Sequence, residues 1–128
     1  MQILLDTHIL IWAQLEPMKL SPRVRDLLKD PNNEILFSAA SIWEIAIKAQ
    51  LGRANFRARP DQIAKAALSD DFIELPVDSD VAASVADLPL LHFDPFDRLL
   101  IAQAKHLPAR LLTVDKKLVP YSDLVMLV

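Results

Sequence analysis

Five short, nearly uninterrupted apolar runs, spaced too widely to pair as tight hairpins, constrain this chain more than any other feature. They lie at Ile3 to Leu5, Ile35 to Ala40, Phe72 to Val77, Arg110 to Val114 and Leu124 to Val128. Runs of this length suit strands, and the segments between them carry helical spacing. A strand apolar at successive positions is buried on both faces, and the long connections leave room for crossover helices, so the pattern favours a parallel α/β sheet. With 128 residues there is enough chain for one core and not for two, so residues 1–128 are expected to form a single domain.

The helix boundaries are written in capping residues. Ser21-Pro22 and Asp94-Pro95 each place an N-cap before a proline at the first helical position. Gly52, the sole glycine, follows Leu51 as a stop for a helix running from about Ser41, and Pro76-Val77-Asp78 and Leu107-Pro108 mark further boundaries. The absence of cysteine excludes a disulfide framework, a thiolate nucleophile and a sulfur-ligated metal. The amino terminus lacks a basic leader, and no apolar run approaches the roughly 20 residues of a membrane span. A cytoplasmic protein is expected.

Most of the 17 acids fall near helix ends or on polar faces. Four do not, and an unpartnered carboxylate in such a place costs several kcal/mol. Asp6 follows Ile3-Leu4-Leu5 and Asp115 follows Leu111-Leu112-Thr113-Val114, so both stand at the carboxyl end of a buried strand, where open parallel sheets bind ligands. Either could instead cap the helix that follows it. Glu44 lies in an apolar helix starting at the same edge, with an ion pair to Lys48 as the competing role. Asp97 shares the inward face of its helix with Leu100, Ile101, Ala104 and Leu107, leaving the cap to Asp94; a capping box is its alternative.

Four acids at one rim repel each other unless a cation neutralises them, and a hard, oxygen-liganded ion such as Mg²⁺ or Mn²⁺ suits such a donor set. That arrangement points to phosphodiester hydrolysis. Thr7, beside Asp6, and Thr113, two residues before Asp115, are placed to hydrogen-bond the carboxylates or bound water. His8, His92 and His106 show no zinc-site spacing and read as structural or surface groups. The net charge of −3 argues weakly against nucleic-acid binding, yet Lys48, Arg53, Arg57 and Arg59 fall in a stretch without an acid, a local positive surface.

The blocks Leu4-Leu5-Asp6-Thr7-His8, Ser38-Ala39-Ala40-Ser41-Ile42-Trp43-Glu44-Ile45, Asp94-Pro95-Phe96-Asp97-Arg98-Leu99-Leu100-Ile101-Ala102-Gln103-Ala104 and Leu112-Thr113-Val114-Asp115-Lys116-Lys117 resemble, in order, the motifs of VapC-type PIN domains. The resemblance spans nearly the whole chain. It implies a three-layer α/β/α fold and a Mg²⁺- or Mn²⁺-dependent endoribonuclease whose acidic site is Asp6, Glu44, Asp97 and Asp115, the last often acting through water. It further implies a substrate such as tRNA or ribosomal RNA, with single-stranded loops as the readable part. Lys48, Arg53 and Arg98 are then the basic side chains expected to meet its phosphates. A VapB-like antitoxin would lie across an apolar groove near Trp12, Leu15 and Trp43, and homodimers and larger toxin–antitoxin assemblies are implied as well. A phosphoacceptor signalling domain, which also gathers acids and Mg²⁺ at such an edge, and a protein-binding module with an inactive site are the rival readings.

Overall fold

The computed structural model describes residues 1–52 and 58–128. Five strands, β1 (Gln2–Leu5), β2 (Glu34–Ser38), β3 (Ile73–Leu75), β4 (Arg110–Thr113) and β5 (Val125–Leu127), form one sheet in the order β3-β2-β1-β4-β5, every pair parallel. The α-helices among the described residues are α1 (Thr7–Leu15), α2 (Pro22–Lys29), α3 (Ala39–Gln50), α4 (Pro60–Ser69), α5 (Ser79–Ser84) and α6 (Pro95–His106); 3₁₀ turns occupy Pro17–Lys19, Val85–Asp87 and Lys116–Tyr121.

Period-two alternation along the buried strands divides the core in two. Ile3, Leu5, Ile35, Phe37 and Leu112 face one side and pack with Ile9 and Leu10 of α1, Val24 of α2, Ile45 of α3 and Ile63 of α4. Leu4, Leu36 and Leu111 face the other and pack with Val81 of α5, with Leu100, Ile101 and Ala104 of α6, and with Leu118 and Tyr121. The layering is therefore helix, sheet, helix. Leu107, expected on the inward stripe, instead sits just past the end of α6 and is partly exposed.

One boundary differs from expectation for a local reason. The run read as strand to Ala40 turns helical at Ala39, because the Ser38 hydroxyl accepts the Ala40 N–H at 3.0 Å and caps α3 two residues before Ser41 would start it. Gly52, with φ of 64°, adopts the left-handed conformation that ends α3. The chain winds outward from β1 to β2 and β3 and then returns to place β4 on the other side of β1. The sheet thus reverses its winding between β1 and β4, and the crevice beyond their carboxyl ends is the topological place for a ligand.

Candidate active site

Asp6 stands at that reversal. Its backbone N–H donates to the Leu112 carbonyl at 2.9 Å, extending the β1–β4 ladder by one residue, and only then does α1 begin. Although Asp6 is the N-cap residue, its side chain makes no cap hydrogen bond. The carboxylate is 5% exposed and takes the Thr113 hydroxyl on Oδ2 at 2.5 Å. Among the described residues no basic side chain pairs with it. Burial raises its pKa above the ordinary carboxylate range; the Thr113 hydroxyl and His8 oppose that rise, and Glu44 adds to it.

Glu44, 6% exposed, arrives from the second turn of α3. Its Oε1 accepts the Thr7 hydroxyl at 2.8 Å, and Thr7 in turn lies 2.8 Å from the Ser41 hydroxyl. Its Oε2 pairs with Lys48 at 2.7 Å, so the i,i+4 ion pair forms while the carboxylate remains at the site. Asp97, from the first turn of α6, is pushed up to about 6, chiefly by burial, with Asp6, Asp94 and Glu44 adding and His92 opposing. Glu44 adds to the rise at Asp6, and Asp6 and Glu44 both add to that at Asp97, although among the described residues these three do not bring ligand atoms within 4.8 Å of one another.

Asp94 caps α6, its Oδ1 accepting the N–H groups of Phe96 at 2.9 Å and Asp97 at 3.1 Å. Asp97 forms no capping box; its Oδ2 meets His92 Nε2 at 2.9 Å. His92, Asp94 and Asp97 bring one ligand atom each to within 4.8 Å of one another. The expectation that His92 is a structural or surface group leaves this contact with Asp97 out of account. His92 stands two residues before the Asp94 cap, so its side chain reaches the first turn of α6.

Asp115 takes the competing role foreseen for it. Its Oδ1 accepts the Lys117 N–H at 2.9 Å and caps the 3₁₀ turn, while its own N–H donates to Thr113 Oγ1 at 3.0 Å. It does not figure among the groups that shift Asp6 or Asp97. The expectation that Arg98 meets substrate phosphate is corrected. The side chain is 8% exposed, and its terminal nitrogens donate to the carbonyls of Pro89 and Val85 and to the Tyr121 hydroxyl, so its donors are turned inward. Arg53 lies outside the described residues. Lys48 is held by Glu44 with a third of its side chain exposed. Of the residues expected at an apolar groove, Trp12 packs against the core, Leu15 is half exposed, and Trp43 is 62% exposed, its ring meeting Phe96 edge-on at 5.3 Å.

The donor set fits a hard divalent ion. Asp6, Glu44 and Asp97 are carboxyls largely withdrawn from water, and among the described residues Lys48 on Glu44 and His92 on Asp97 are the basic side chains in direct contact with them, which leaves Asp6 without a counter-charge.

The PIN domain family matches residues 3–123. Ribonuclease VapC22 of Mycobacterium tuberculosis (strain ATCC 25618 / H37Rv) is 31% identical over 117 residues, covering 91% of this chain and 88% of that one. Among solved structures, VapBC2 from Rickettsia felis bound to a DNA fragment from their promoter aligns with a TM-score of 0.72 at 19% identity, covering 99% of this chain and 97% of that one. FitAcB from Neisseria gonorrhoeae aligns with a TM-score of 0.61 at 23% identity, covering 98% and 96%. At these identities the structural likenesses speak for the fold.

Proposed function

Because the chain belongs to the PIN domain family, we propose that it is a metal-dependent endoribonuclease, the toxin of a toxin–antitoxin pair, with Asp6, Glu44 and Asp97 holding Mg²⁺ or Mn²⁺. The observation that carries this reading is Asp6: a buried carboxylate at the carboxyl end of β1, steered by Thr113, with no basic partner among the described residues and with Glu44 raising its pKa further. When bound, such an ion supplies Lewis acidity at a phosphodiester and at the attacking water. Thr113 holds the Asp6 carboxylate, Thr7 and Lys48 hold that of Glu44, and ordering them in advance reduces what binding must fix. Asp115, one oxygen committed to its cap, stands at the end of the neighbouring strand, where its other oxygen serves as an outer contact through water.

The substrate class that suits the rim is an unpaired loop of tRNA or ribosomal RNA, its backbone met by Lys48 and Arg53. An antitoxin segment fits the cleft of about 600 Å³ beside α1 and α2, whose lining joins Ala13, Met18, Leu20, Leu28 and Phe72 to Arg25, Lys29 and Asp70 and does not include Trp12, Leu15 or Trp43. Titration of Mn²⁺ into the wild type and Asp6→Asn, with RNA cleavage assayed in parallel, tests the reading. The wild type binds and cleaves, chelation stops it, and the variant does neither. Labelling of Asp6 by acetyl phosphate without RNA cleavage would overturn the nuclease in favour of a phosphoacceptor.

A further inference from the structure

Arg98 is a buried cation without a carboxylate partner among the described residues. A charge so placed persists only if its donors are satisfied, and here they are satisfied by one loop and one phenol. Nη1 donates to the Pro89 carbonyl at 2.9 Å and to Tyr121 Oη at 3.1 Å, and Nη2 to the Val85 carbonyl at 3.2 Å. Tyr121 Oη in turn accepts the His92 N–H at 2.8 Å and donates to the His92 carbonyl at 3.2 Å, with the Leu91 nitrogen also 3.2 Å away. Both polar groups of the His92 backbone therefore end on the same hydroxyl, which the guanidinium holds from behind. The consequence lies at the side chain: His92 Nε2 sits 2.9 Å from Asp97 Oδ2.

We propose that His92 is a positioning residue for Asp97, and that Arg98 and Tyr121 form the clasp that keeps it there. This rests on the reading of Asp97 as a metal ligand. With the carboxylate ionised, the imidazole N–H donates to one oxygen and fixes the rotamer, leaving the other oxygen for the ion. A carboxylate ordered beforehand loses less side-chain entropy when it binds, and groups that orient a ligating side chain typically contribute about 10- to 100-fold in metal affinity. The clasp also explains why the cation next in sequence to Asp97 turns inward: it works on the acid through the loop.

Mn²⁺ affinity measured by calorimetry, with thermal melting of the same proteins, tests this. His92→Ala is expected to weaken Mn²⁺ binding by about 10-fold or more, and His92→Gln, which keeps an amide donor, to recover most of that loss. Tyr121→Phe keeps the ring and the imidazole but releases the loop. It should weaken binding in the same direction, and the double variant should be no weaker than His92→Ala alone, since the two changes break one chain of contacts. The spin-echo spectrum of bound Mn²⁺ should show no directly coordinated nitrogen. Unchanged affinity in His92→Ala, with or without a lower melting temperature, overturns the proposal, as does a coordinated imidazole nitrogen, which would make His92 a ligand. Additive losses in the double variant overturn the clasp. A wild type that binds no Mn²⁺ overturns the metal reading itself, a result distinct from a wild type that binds and a variant that binds equally well.

Discussion

Asp6 and Asp97 are carboxyls that the folded chain makes more basic, and this has a sign that can be measured. In the metal-free protein Asp97 holds its proton up to about pH 6, whereas its ordinary value is 3.8. Below about pH 4 the native and unfolded states are both protonated there and the residue contributes no difference. Across the interval up to about 6 the native state binds more protons, so its stability declines as pH rises, and above the interval the decline is complete. Urea denaturation in the presence of a chelator should show wild-type stability falling relative to Asp97→Asn over this window; a difference that stays flat with pH would mean the burial does not act on Asp97. The affinity for Mn²⁺ should rise over the same window, because proton and ion compete for one carboxylate. Thr113→Val, close in shape and fully buried, removes the donor on Asp6 Oδ2. It should reduce Mn²⁺ affinity by about 10-fold, consistent with a hydrogen bond to a charged group. Calorimetry that finds the same affinity would assign Thr113 to packing alone.

Helix ends show which acid does which work. Asp94 and Asp97 are three residues apart, yet the first spends Oδ1 on two backbone N–H groups of α6 and the second meets His92 and has its pKa raised by burial and by acids of other elements. Asp94→Ala should therefore lower stability by about 0.5–2 kcal/mol while RNA cleavage survives, and Asp97→Ala should abolish cleavage. Chemical denaturation beside a cleavage assay separates the two, and the reverse pattern would exchange the roles. Caps at Ser21, Asp94 and Gly52 were legible because local backbone chemistry alone selects such residues. The strand ends were less so. Phe72 to Val77 is a strand only over Ile73–Leu75, and Leu124 to Val128 over Val125–Leu127, with backbone bonds from Leu124 and Val128 to β4 at its two ends. Both are edge strands with one neighbour, and neither is buried on both faces: Ile73 and Leu127 are exposed, so an apolar run at a sheet edge overstates both burial and strand length.

The molecule as a whole is organised around β1, which pairs on both sides and carries Leu4 with no exposure. Leu4→Ala should cost about 2–5 kcal/mol, read from denaturant midpoints, and a smaller loss would mean that the core closes over the gap. If the acids hold an ion, Mn²⁺ at 100 times its dissociation constant should stabilise the wild type by about 2.7 kcal/mol and leave Asp6→Asn nearly unmoved, a contrast visible in melting temperature. Strand positions, their parallel sense and the placing of Asp6 and Asp115 after buried strands could be read from residue order, because periodicity and burial cost act over a few neighbours. Strand order could not, nor could the return of β4 to β1, since residue spacing does not say which edge a crossover joins. The same holds for His92 against Asp97, for Arg98 turned toward loop carbonyls, and for Asp115 taken up as a cap. Each of these side chains had two chemically sound partners, and the choice was made by where distant elements brought carbonyls, hydroxyls and acids together in space.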